Sequence, residues 1–261
     1  MIDALTRANT DFSRRYPGEG GARQPVHTVY GGGHLFRSDT APKLGALARR
    51  AMEEYAPTPA DLAEAVGMDP ALAAKVHPRV AEKLAREAVE DFRIDFEDGY
   101  GHRPDAEEDD HVAQASAEVA AGLRAGTLPP FLGIRIKPLN EELRRRAVRT
   151  LEAFLTPLFA QQALPRDFVV TVPKITVPDQ VAHVAEVLAT LERKHGFPER
   201  TVPLELMVEM PQAILDATGR CPLMSFIEAG AGRVRGAHFG TYDYTAGLTI
   251  TAAYQHMRHP V

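Results

Sequence analysis

Apolar, strand-like runs alternate with helical stretches along nearly the whole chain, and that order limits the fold more than any other feature. The runs are HTVYGGGHLF, FRIDFEDGYG, FLGIRIKP, FVVTVPKI, PLELMVEM and VRGAHFGTYDY. Strands that alternate with helices pair in parallel, because each return to the sheet needs a crossover. APKLGALARRAMEEYA has helical spacing of Leu44, Leu47 and Met52, and TPADLAEAVGM opens with Thr58, Pro59 and Asp61. PRVAEKLAREAVEDF, HVAQASAEVAAGLRAG and PDQVAHVAEVLATLERKHG are further helices, as is NEELRRRAVRTLEAFLTPLF behind an Asn140 cap. PQAILDATG and SFIEAGAG are shorter ones, and TAGLTITAAYQHMRHPV begins another. GHRPDAEEDD reads as a solvated acidic loop.

The expected fold is therefore α/β, of the (β/α)8 TIM-barrel type, with about six βα units. Residues 1–26 are polar and read as an N-terminal extension or packing arm, ahead of a barrel domain over residues 27–261. No strand candidate follows Asp243, so the barrel is expected to be incomplete, truncated at its C-terminal end. A missing wedge would leave two unpaired strand edges.

A net charge of −5 gives no basic face for nucleic acid. No apolar stretch is long enough to span a bilayer, and MIDALTRANTDFSRRYPGEGG lacks the apolar core of a secretion signal. The single cysteine, Cys221, excludes an internal disulfide and a thiolate zinc site, and the expected location is cytoplasmic. The expected partners are a small-molecule carboxylate and further copies of the chain in a homo-oligomer.

Charged residues sit at the ends of these apolar runs. Asp95, Glu97 and Asp98 end one, Arg135 and Lys137 the next, then Lys174, Glu209 and Asp243. Burying an ionised group is costly unless it is paired or metal-bound. A series of such strand ends looks like side chains delivered to one shared mouth. Glu209 and Asp243 could hold Mg²⁺ or Mn²⁺, which takes one or two carboxylates and keeps open positions; either acid could instead form a structural ion pair. Arg135 could grip a carboxylate or an oxyanion, or form a salt bridge to Glu97 or Asp98. Asp95 and Glu97 should share a strand face, and with Asp98 so close at least one of the three acids needs a cation or a raised pKa. Glu97 could also pair with Arg135 or Lys137. Gly31, Gly32, Gly33 and AGAGRVRG read as turns, His238 as a core or supporting histidine, and Tyr242 and Tyr244 as walls of the mouth.

In their order and spacing, DFEDG, IRIKP, VPK, LMVEMP and FGTYDYTAGL resemble the strand motifs of the citrate lyase β-subunit-like branch of the HpcH/HpaI aldolase family. That family belongs to the phosphoenolpyruvate/pyruvate TIM-barrel superfamily. The resemblance covers roughly residues 90–250. It implies Mg²⁺ ligands at Glu209 and Asp243, with Met210 and Tyr244 where threonine and leucine are usual. Arg135 would bind substrate carboxylate or enolate oxygen, with Lys137 in the place of an asparagine. Lys174, Gly240 and Thr241 would contact substrate. Asp95, Phe96, Glu97 and Asp98 match the acidic segment, and Asp98 stands near the place of a family histidine base. The reaction implied is carbon–carbon cleavage or condensation of a 2-oxo acid or related carboxylate through a metal-stabilised enolate, with a metal-bound water or a carboxylate of the Glu97/Asp98 pair handling the proton. No sequence feature selects coenzyme A. Two alternatives share these residues: a phosphoenolpyruvate-handling phosphotransfer enzyme, and a non-catalytic remnant.

Overall fold

The computed structural model describes residues 2–18 and 20–261. Six strands form one sheet: β1 (Val29–Gly32), β2 (Asp91–Asp95), β3 (Phe131–Arg135), β4 (Phe168–Val172), β5 (Leu204–Val208) and β6 (Val234–Phe239). Their order in space is their order in the chain, and every neighbouring pair is parallel. The order never reverses, so right-handed crossovers place the helices on one face of the sheet. This is the wall of a barrel, with β1 and β6 as its two edges.

The N-terminal helix α1 (Ile2–Arg15) buries no residue. After β1 come α2 (Thr40–Tyr55), α3 (Pro59–Val66) and α4 (Pro70–Glu87). Thr58 and Asp61 close a reciprocal capping box at the start of α3. α5 (Asp105–Ala125), α6 (Arg144–Ala160) and α7 (Pro178–Lys194) follow β2, β3 and β4 in turn. The short α8 (Pro211–Ile214) and α9 (Leu223–Ala229) link β5 to β6, and α10 (Thr241–Gly247) follows β6.

The two-residue period of the strands divides the sheet. Phe92, Ile94, Phe96, Ile134, Val170 and Leu206 point at the helices and join Phe154 and Leu155 of α6 and Val184 and Leu188 of α7 in one buried core. Asp91, Arg93, Asp95, Arg135, Thr171 and Glu205 lie on the inner face. Of the glycine run 31–33, Gly31 and Gly32 close β1 and only Gly33 lies in the turn that follows; packing sets the run. A Cβ on Gly33 would lie 2.4 Å from the Phe96 ring, and one on Gly31 2.7 Å from the Phe92 ring.

Three local expectations are corrected. The acidic stretch GHRPDAEEDD is not a solvated loop: α5 starts at Asp105, and acids suit a helix N-terminus. Within that stretch Glu108 is buried, bound by Thr150 at 2.7 Å and by Lys137 at 3.1 Å and Arg146 at 3.2 Å. The last strand ends at Phe239, so Asp243 is delivered by the first turn of α10 rather than by β6. Beyond α10 the chain holds a single 3-10 turn, Ala252–Tyr254, in place of a continuing helix. Among the described residues no helix is long and apolar enough to cross a membrane.

Candidate active site at the carboxyl ends of the strands

Arg135 ends β3 opposite Asp95, which ends β2, because the two are register partners in the ladder. Their pairing is bidentate: Nε donates to Oδ1 at 2.8 Å and Nη2 to Oδ2 at 2.6 Å. Asp95 also accepts from the backbone N–H groups of Glu97 at 2.9 Å and Gly99 at 2.8 Å, which locks the turn after β2. Arg135 Nη1 lies 2.8 Å from Glu97 Oε2, and the guanidinium stacks over the Tyr30 ring at 4.9 Å. Asp95 and Glu97 thus act on one cation from one side. Much of Arg135 is engaged by protein carboxylates, so the salt-bridge reading of this residue is realised; Nη1 is the edge it turns toward Met207 and Asp98. Lys137 does not meet Glu97. It donates to the Phe96 carbonyl at 2.7 Å and pairs with Glu108.

Lys174 gathers the acids. Its ammonium contacts Glu97, Asp98 Oδ2 at 3.0 Å and Asp243 Oδ2 at 3.2 Å. Its backbone N–H donates to Glu209 Oε1 at 2.7 Å. The residue has φ of 48°, in the left-handed region that an L side chain adopts at a cost. That backbone turn presents the N–H to one carboxylate and the side chain to three others. Burial alone would lower the lysine pKa, but Glu97 and Asp98 outweigh it and hold the ammonium charged above its ordinary range. Burial pushes Glu97 the other way, up, against the pull of Arg135 and Lys174.

Glu209 follows β5 and is 1% exposed. Burial raises its carboxyl to about 7; the Lys174 charge and N–H oppose this, and the like charges of Asp243 and Glu97 add to it. Gly240 lies against it, since a Cβ there would fall 2.6 Å from Glu209 Oε2. Gly240 precedes α10, Thr241 is its first residue, and Asp243 in its first turn is half-exposed at the mouth. Glu209 and Asp243 are therefore neighbours joined through Lys174, although they lie on different elements. Among the described residues no three acidic, histidine or cysteine side chains form a metal-holding group. The candidate donor set is this pair, Glu209 and Asp243, both in contact with Lys174. Two carboxylates with room for water and substrate suit Mg²⁺. A cavity of about 500 Å³ adjoins the mouth, bordered by Glu97, Asp98, His102, Asn140 and Lys174.

Sequence reading missed the layer beneath. Glu205 accepts from Thr171 Oγ1 at 2.7 Å and meets Arg93 Nε at 3.1 Å. Its other oxygen lies 3.4 Å from His238 Nδ1, and His238 Nε2 lies 3.1 Å from the Tyr30 hydroxyl. Burial would raise the Glu205 carboxyl, but His238, Arg93 and Thr171 reverse this and hold it at about 2. The available signal was a second charge further back in the same run: Arg93 two residues before Asp95, and Glu205 four before Glu209. His238 is a supporting histidine, Cys221 is exposed, and Tyr242 is exposed on α10.

Comparison with known proteins gives a family and a fold. A family model described as a domain of unknown function, DUF6986, matches residues 5–261. No curated protein matches. Among solved structures, a malate synthase from Haloferax volcanii in a lead(II) complex aligns with a TM-score of 0.51 at 16% identity, over 70% of this chain and 50% of that one. A citrate lyase from Burkholderia xenovorans LB400 aligns at 0.47 and 22%, over 66% and 46%. The chain thus spans about half the length of these structures. At such identities the likeness is one of fold: parallel strands alternating with helices, as in part of a barrel enzyme.

Proposed function

The chain belongs to the DUF6986 family, and from that premise we propose that its strand-end mouth is a divalent-metal-assisted carbon–carbon lyase site for a 2-oxo acid or related carboxylate. The observation that carries this reading is the junction at Lys174. There the buried Glu209 accepts from the Lys174 backbone N–H at 2.7 Å, and the mouth aspartate Asp243 lies 3.2 Å from the Lys174 ammonium. Glu209 and Asp243 would hold Mg²⁺, which when bound supplies a Lewis acid to the substrate's carbonyl oxygen. Arg135, fixed by Asp95, Glu97 and the Tyr30 ring, would place its positive charge beside the growing enolate. Lys174 places a second positive charge there, beside Glu97 and Asp98. The cavity beside Asn140 and His102 would take the rest of the substrate.

Calorimetric titration with Mg²⁺, then with oxalate as a planar mimic of an enolate, tests the reading. Wild-type protein is expected to bind both, and Glu209→Ala and Asp243→Ala to bind neither. Unchanged Mg²⁺ affinity in both variants would defeat the assignment.

A further inference from the structure

Resting on the lyase reading, we propose that Tyr30 is the proton-transfer residue of this site, backed by His238 and Glu205 as a relay inside the barrel. Tyr30 lies on β1 and His238 on β6, the two edge strands, and their side chains meet across the inner face at 3.1 Å although they are 208 residues apart in sequence. Behind the imidazole stands Glu205 of β5 at 3.4 Å, anchored by Arg93 of β2 at 3.1 Å and Thr171 of β4 at 2.7 Å. A hydroxyl, an imidazole and an orienting carboxylate in line form a chain able to pass a proton. The phenol ring packs against a residue of the mouth, because the Arg135 guanidinium of β3 lies 4.9 Å over its centroid. The relay therefore reaches the same cation that would face a developing enolate. Glu97 and Asp98, the other candidates for the proton, are held by Lys174 and Arg135 and are spent as counter-charges.

The step balances. In the cleavage direction the electron pair of the enolate double bond forms a new C–H bond with the Tyr30 hydroxyl proton. The phenolate left behind takes the Nε2 proton of a His238 imidazolium, whose charge Glu205 supports. Neutral His238 is then recharged from solvent. In reverse, neutral His238 takes the Tyr30 hydroxyl proton at Nε2, the phenolate oxygen takes a proton from the methyl group of a 2-oxo acid, and the C–H electron pair becomes the enolate double bond. The groups facing His238 are Tyr30 and Glu205, and those facing Glu205 are Arg93, Thr171 and His238.

Exchange of pyruvate methyl protons with D₂O in the presence of Mg²⁺, followed by proton NMR, reads this step without a second substrate. Wild-type protein is expected to exchange the methyl group. Tyr30→Phe keeps the ring under Arg135 and should lose about 100-fold or more in exchange rate, while its affinity for Mg²⁺ and oxalate stays within about 3-fold. His238→Gln should lose exchange similarly, which keeps the test open if the tyrosine variant misfolds. The ¹⁵N resonance of His238 Nε2 should shift when Mg²⁺ and oxalate bind to wild type and stay still in Tyr30→Phe. Wild-type exchange rates in both variants, or a wild type that binds Mg²⁺ and oxalate yet leaves pyruvate unexchanged, would overturn the relay alone. A wild type that binds neither probe would remove the lyase reading and the relay with it.

Discussion

The two faces of the sheet are made by the same strands and obey opposite rules. In β2, Phe92 and Ile94 enter the helix-covered core while Asp91, Arg93 and Asp95 point inward. One face is held by apolar burial, which is non-directional and tolerant of small shifts. The other is held by charges that need their partners, because a buried ion left alone costs several kcal/mol. The lesson is that stability and chemistry are separated by a one-residue step along each strand. A register slip would exchange them. Substitutions on each face should therefore differ in kind as well as in size.

The largest stability effect should come from the apolar face. Phe154 is fully buried, stacks on Phe168 at 5.9 Å and meets Phe96 at 6.1 Å. Phe154→Ala should cost about 3–5 kcal/mol by denaturant unfolding, with Mg²⁺ affinity of the remaining folded protein unchanged. On the inner face, Arg135→Met should cost about 3 kcal/mol, because Asp95 is left buried with only its backbone donors. Unlike the phenylalanine variant, it should also lose oxalate binding. Equal binding losses in both variants would erase the distinction between the faces.

A pH series sharpens the comparison. Glu209 has a folded pKa of about 7 against an ordinary 4.5, so the folded state holds the extra proton between those values. Its contribution is fully present below about 4.5 and is lost as the pH rises through about 7. Relative to wild type, Glu209→Gln should therefore gain stability across that window, by at most about 3 kcal/mol at pH 8, and match it near pH 4.5. Paired denaturant titrations at several pH values check the sign. A gap that opens toward acid instead would mean that the carboxyl is stabilised as an anion in the fold.

Most of the sheet could be read from the chain because both signals repeat. Apolar residues mark each strand, and a charge at its end is conspicuous against them. That was enough to bring Asp95, Glu97, Arg135, Lys174 and Glu209 to one mouth. The failures have local causes. TYDYTAG is rich in residues that favour strands, yet Gly240 ends β6 and the next seven residues close a helix, so Asp243 arrives from another element. DAEEDD has the composition of a loop, but its acids stand in the first turns of α5, where Glu108 and Asp109 are paired with Lys137 and Arg146. Tyr30 carried no signal at all, since what defines it is a histidine on the far edge of the sheet.

The smallest stability effect belongs to the residue on which the metal reading leans hardest. Asp243 is half-exposed, and its one ion pair goes to a lysine that already has Glu97 and Asp98. A partly solvated pair of this kind is worth about 1 kcal/mol or less. Asp243→Asn should therefore unfold within about 1 kcal/mol of wild type, while losing Mg²⁺ affinity in a calorimetric titration. The combination matters more than either number. A structural acid would lose stability and spare the metal, whereas an acid kept for chemistry loses the metal and spares the fold. If Asp243→Asn instead unfolds early and still binds Mg²⁺, the aspartate belongs with the ion pairs that brace the inner face, and Glu209 would need a different partner.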